Sequence, residues 1–131
     1  MLIQSKIIAI DFDGTIVSDA YPEIGREQPF AFDTLRMLQS DGHRLILWTV
    51  RRGSKLTDAV EFCRKNGVEF YAVNQNFEGE ELGSSSRKVN ADIFVDDRNV
   101  GGFPGWGEVY QHISQKELPV RRKKSLFSFG R

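Results

Sequence analysis

Four carboxylates stand out by their spacing. Asp11 and Asp13 are separated by one residue in Asp11-Phe12-Asp13-Gly14-Thr15, and Asp96 and Asp97 are adjacent. Each pair follows a short apolar run, residues 6–10 (KIIAI) and residues 93–95 (IFV). Turn-forming Asp explains one such strand end, or two. It explains poorly four acids delivered to one place, because clustered carboxylates repel and each resists desolvation. A cation is expected between them. Hard oxygen ligands, few and partly hydrated, suit Mg²⁺ better than zinc, which takes His or Cys.

The elements that must position these groups follow from the hydrophobic pattern. Residues 45–48 (LILW) and 70–73 (FYAV) are two further apolar runs. Runs that are continuously apolar are buried on both faces, as in a parallel sheet. Helical spacing occupies the intervals: Phe32, Leu35 and Leu38 in 32–39; Leu56, Val60 and Cys63 around 57–65; Trp106, Val109, Tyr110 and Ile113 in 106–114. Asp41-Gly42 and Asn66-Gly67 stop the first two. This alternation predicts an α/β fold, three-layered and Rossmann-like, with a central parallel sheet. Ligands in such sheets bind beyond the carboxyl ends of the strands. There the runs deliver Asp11 and Asp13; Thr49 with Arg51 and Arg52; Asn74 with Gln75 and Asn76; and Asp96 and Asp97 with Arg98 and Asn99.

The ordered set resembles the four motifs of the haloacid dehalogenase (HAD) superfamily: Asp11-Phe12-Asp13-Gly14-Thr15, Thr49 after a strand, Lys88, and Asp96-Asp97 after another strand. The resemblance covers about residues 6–116. It implies phosphoryl transfer through a covalent aspartyl-phosphate. Asp11 would be the nucleophile, since a carboxylate needs no deprotonation near neutral pH. Asp13 would be the general acid/base, and its backbone carbonyl a metal ligand. Thr49 would bond a phosphoryl oxygen, and Lys88 would neutralise the phosphate and orient Asp11. Asp11, Asp13, Asp96 and Asp97 would form the Mg²⁺ site. Period-two strand geometry itself points Asp11 and Asp13 to one side and Phe12 to the other.

An acid at position 13 favours a phosphatase over a dehalogenase, whose leaving group needs no proton. Capped members of the superfamily carry an inserted domain where this chain has only 17–29 and 74–87, so it resembles the small capless type. An open site suits a macromolecular phosphorylated substrate. A homo-oligomer in which a neighbouring subunit supplies a lid would instead admit a small phosphorylated metabolite. The alternative from another class is a non-enzymatic module, either phospho-accepting like a response-regulator receiver or a HAD-like binding protein. Receivers keep their acidic pair and phospho-accepting Asp on different strands, and Asp13 supplies the group that makes phosphorylation turn over.

Other residues carry weaker signals. Arg51, or less so Arg52, could grip an anionic substrate, and Asn74 could contact it; a solvated arginine and an Asx turn are the plain alternatives. Arg98 and Asn99 flank the acidic pair and could support it. His43 and His112 are expected to be structural or superficial, and Cys63 to be a small buried hydrophobe.

The chain has 131 residues, about one domain, of which 40% are hydrophobic and 27% charged. Eighteen Lys and Arg against eighteen Asp and Glu give zero net charge, which argues against a uniformly basic nucleic-acid binder without excluding a local patch. That zero conceals a cancellation. Residues 119–131 hold Arg121, Arg122, Lys123, Lys124 and Arg131 and no acid, so the rest carries thirteen positive against eighteen negative charges, net −5. The expected organisation is a hydrolase-like core over 1–118 and a basic tail over 119–131. A single cysteine excludes an intramolecular disulfide. No apolar run approaches the roughly 20 residues that span a bilayer, and residues 1–9 lack the zones of a signal peptide. No membrane partner and a cytoplasmic location are expected.

Overall fold

The computed structural model describes residues 4–80 and 89–114. Lys88 and the basic tail lie outside the described residues. The elements run β1 (Ile7–Ile10), α1 (Ala31–Ser40), β2 (Arg44–Leu47), α2 (Gly53–Lys65), β3 (Ala72–Val73), β4 (Ile93–Val95) and α3 (Trp106–Ser114). The four strands form one parallel sheet in the order β3-β2-β1-β4, which puts β1 and its acidic extension in the middle. This is an α/β, Rossmann-like architecture, and no cap domain interrupts the described residues.

Register explains why these strands are apolar at every position but Arg44, the exposed first residue of β2. Ile8 pairs with Leu45 and Ile93, and Ile10 with Leu47 and Val95, so these six side chains share one face. Ala9 pairs with Ile46 and Phe94, and Ile46 with Ala72, on the other. The first face carries the larger cluster, where Phe32, Leu35 and Leu38 of α1, Ala59 and Cys63 of α2, and Trp106 and Ile113 of α3 are buried. The second carries a smaller one, against which Val89 and Ala91 lie. Both faces are thus covered, as the continuous apolar runs require. The cover differs: all three helices belong to the first cluster, whereas Val89 and Ala91 come from the connection between β3 and β4.

Two elements differ from the sequence pattern. Strand β3 is confined to Ala72–Val73, because Phe70 and Tyr71 approach β2 without laddering beyond the Tyr71 N–H to the Leu45 carbonyl. Helix α2 starts at Gly53 instead of 57, since the Leu56 N–H reaches the Arg52 carbonyl although that first turn lacks an apolar stripe. Residues 17–29 form no separate unit. Val17 bridges Glu27, the Ser18 N–H bonds to the Arg26 carbonyl and the Gln28 N–H to the Ile16 carbonyl, making a short flap over the end of β1. Gly25 is required there, because a Cβ would lie 2.1 Å from the Ser18 carbonyl oxygen. Among the described residues, no helix is long and apolar enough to cross a membrane.

Candidate functional site

Beyond Ile10 the chain leaves the sheet still tied to it, with the Asp11 N–H bonded to the Val95 carbonyl at 3.0 Å. Phe12 turns inward and is fully buried, while Asp11 and Asp13 line an open cleft at the carboxyl end of the strands. The next turn is closed by N–H groups of Thr15, Ile16 and Val17 converging on the Phe12 carbonyl. The buried indole of Trp106 donates to the Thr15 carbonyl at 2.9 Å, which fastens α3 to this loop. Gly14 adopts φ +86°, and a Cβ there would lie 2.2 Å from Asp97 Oδ2. Glycine is therefore needed twice, for the left-handed turn and for the close approach of an acid from β4.

The cleft holds about 490 Å³ and takes residues from three strand ends and the flap. Asp11, Asp96 and Asp97 each offer one oxygen, all within 4.8 Å of one another, a grouping that could hold a metal ion. Repulsion is visible in their acidities. Burial, then Asp96, then Asp97 and Asp13 push the Asp11 carboxyl up to about 7, against the hydrogen bond to the Phe12 backbone that lowers it. Asp97 is also raised, by burial first and by Asp96 next. Its Oδ1 is buried without a hydrogen-bond partner. Asp96 Oδ1 accepts from the Arg98 N–H at 2.8 Å.

Thr49 lines the same cleft and is held from two sides. Its N–H donates to Asn74 Oδ1 at 2.7 Å, and its Oγ1 accepts from the Arg51 N–H at 3.1 Å. Asn74 has φ +56°, a conformation Asn tolerates better than most residues. It was expected to contact substrate; instead its side-chain oxygen fixes the backbone of Thr49, and it does not line the cleft.

Arg51 is the larger correction. Its side chain was expected to grip an anion, but it is 1% exposed and its donors are spent inside the protein. Nε and Nη2 donate to the two oxygens of Asp13 at 2.7 and 2.8 Å. Nη2 also reaches the Glu23 carbonyl at 2.9 Å, and Nη1 the carbonyls of Lys55 and Pro22 at 3.3 and 3.4 Å. The guanidinium carbon lies 5.1 Å from the Phe12 ring centre and 5.0 Å from that of Tyr21. Asp13 thus reaches the cleft with its carboxylate engaged by Arg51, outside the group formed by the other three acids.

The structure also brings in residues that the spacing did not single out. Tyr21 and Asp19 from the flap, and Trp48 and Val50 on either side of Thr49, line the cleft, as does Arg98, which the sequence already set beside the acidic pair. Trp48 and Val50 were detectable as neighbours of a strand-end threonine. Tyr21 had no local signal, because it reaches the cleft through Arg51, thirty residues away in the sequence. His43 is buried, with Nδ1 accepting from the Lys6 N–H at 3.1 Å, and burial lowers its pKa. Cys63 is buried in the core, which pushes its thiol up to about 12. Both sit away from the cleft, as structural residues do.

No protein-family model matches this chain, and no curated protein matches it. The chain is similar to a solved structure of a conserved protein coded by a locus of Bacteroides thetaiotaomicron, with a TM-score of 0.82 and 54% sequence identity over 88% of this chain and 94% of that one. With identity above one half over nearly the whole of both chains, the chain belongs to the family of that conserved Bacteroides protein.

Proposed function

We propose that the protein is a Mg²⁺-dependent phosphomonoesterase acting through an aspartyl-phosphate, in the manner of the capless HAD phosphatases its motifs resemble. The observation that carries this reading is the convergence of Asp11, Asp96 and Asp97 within 4.8 Å on a cleft that also receives Asp13 and Thr49. The donor set fits a hard divalent cation: three carboxylate oxygens, one buried Asp97 oxygen with no other partner, and a glycine that makes room for that carboxylate. Asp11, Asp96, Asp97 and the backbone carbonyl of Asp13 would hold the ion. When bound, Mg²⁺ supplies positive charge that offsets both these carboxylates and the phosphoryl oxygens.

The chain's own residues supply the rest. An Asp11 oxygen attacks phosphorus, and the phosphorus–ester oxygen bond breaks with its electron pair going to the leaving oxygen. That oxygen takes a proton from the Asp13 carboxyl and departs as the alcohol. The Asp13 carboxylate then takes a proton from water, whose oxygen attacks the same phosphorus. The bond to Asp11 breaks, inorganic phosphate leaves, and both acids return to their starting states. Thr49, whose N–H bonds to Asn74 and whose Oγ1 accepts from the Arg51 N–H, would bond a phosphoryl oxygen. Lys88 is expected to balance charge on the phosphate, as the resemblance implies.

The test is release of phosphate from para-nitrophenyl phosphate with added Mg²⁺. Asp11→Asn should lose roughly 10⁴-fold or more, the scale on which removal of a covalent nucleophile acts, and chelator should return wild type to background. Equal rates for wild type and Asp11→Asn would refute the assignment.

A further inference from the structure

We propose that Arg51 is a positioning residue for leaving-group protonation: it locks the Asp13 carboxylate and the turn at residues 21–23 into one arrangement, so that the acid and the rim of the cleft are set together. The inference rests on the phosphomonoesterase reading and goes beyond it by giving a role to a residue outside the reacting set.

A guanidinium carries five N–H donors in a rigid fork and no acceptor. In Arg51 five contacts account for them: two to the Asp13 carboxylate and one each to the carbonyls of Glu23, Pro22 and Lys55. With the residue 1% exposed, none is available to a ligand. The arrangement joins three separate parts of the chain: the loop after β1, the flap and the first turn of α2. Nη2 donates both to Asp13 and to the Glu23 carbonyl of the flap, and Nη1 donates to the Pro22 carbonyl beside it. The Tyr21 ring, packed on the guanidinium, stands at the edge of the cleft and is 55% exposed.

The pairing leaves Asp13 with unused acceptor capacity. Each carboxylate oxygen has two lone pairs, and Arg51 uses one on each. A fork holding both oxygens fixes the carboxylate plane, which a point charge such as lysine does not. Placement of an acid relative to the departing oxygen governs how much of the protonation advantage is realised, typically 10²–10⁴-fold in all.

The experiment compares two esters that differ in their need for a proton. The para-nitrophenolate departs largely unaided, whereas the alkoxide of phenylethyl phosphate does not. The readout is the ratio of kcat/KM for the aryl ester to that for the alkyl ester, measured with Mg²⁺ on wild type, Arg51→Met, Arg51→Lys and Asp13→Asn. We expect Asp13→Asn to raise the ratio most, Arg51→Met to raise it about tenfold or more, and Arg51→Lys to raise it less. Combining Arg51→Met with Asp13→Asn should raise it no further, because residues acting through one group are not additive. Folded Arg51 variants with the wild-type ratio would overturn the proposal while leaving the phosphomonoesterase reading intact. Failure of both Arg51 variants to fold would assign the residue to folding alone and overturn it too. A wild type that hydrolyses neither ester would remove the reading and this inference together.

Discussion

Asp11 and Asp13 are two residues apart at the end of the same strand, yet the fold gives them opposite surroundings. Asp11 is gathered with Asp96 and Asp97, and among the described residues burial and these acids drive its carboxyl up to about 7. Asp13 meets the buried fork of Arg51 on both oxygens. The first environment stores repulsion that a metal ion would relieve; the second is already neutralised by the protein. Two identical side chains can thus be assigned different work, since environment and not residue type sets the behaviour of a carboxyl. On the proposed phosphomonoesterase reading, Asp11 would serve the cation and the electrophile, and Asp13 the proton transfers.

This contrast can be broken from either side. The largest expected effect is on Asp13. Asp13→Ala leaves the Arg51 guanidinium buried without a counter-ion, which should destabilise the protein by about 3–5 kcal/mol. Urea unfolding measures it, and a loss below about 1 kcal/mol would mean that Asp13 is not neutralised as described. Next comes the glycine that lets Asp97 approach. Gly14→Ala forces φ +86° on a residue with a Cβ and sets that carbon against Asp97 Oδ2. We expect a loss of about 1–3 kcal/mol from backbone conformation alone, with weaker Mg²⁺ binding by calorimetry. Unchanged metal affinity would separate Asp97 from the ion.

The smallest effect concerns Asp11 in metal-free protein. Its folded-state pKa lies above its ordinary value, so the stability it contributes is full below 3.8 and is lost as pH rises through about 7. Metal-free wild type should therefore become less stable across that window, and Asp11→Asn should lose less. The difference should be modest because the cleft is open to solvent, which screens the repulsion. Added Mg²⁺ should reverse the order at the upper end of the window. Parallel pH profiles for the two proteins without metal would show that the acids do not burden one another.

Much of the fold was legible because the parallel sheet imposes a simple rule. Strands buried on both faces must be apolar at every position, and 7–10, 45–48 and 93–95 obey it. Helix α3 was readable to the residue, since Trp106, Val109 and Ile113 recur at helical spacing and are all buried. Strand β3 was less so: Phe70 and Tyr71 have strand-like side chains, but only tertiary pairing decides where a ladder starts. At the site, Asp11, Asp13, Thr49, Asp96 and Asp97 were legible because each follows an apolar run, and strand order then carries them to one edge.

The roles of Arg51, Asn74 and Tyr21 were not legible. Residue type says that an arginine near a strand end can bind an anion; it does not say that an internal carboxylate 38 residues away will claim it first. The sequence by itself determined the elements, their buried faces and the acids at the strand ends, because these depend on periodicity and local chemistry. Tertiary structure decided which charges meet. That depends on distances between segments remote in the chain, and electrostatic interactions take their size from those distances and from the burial around them.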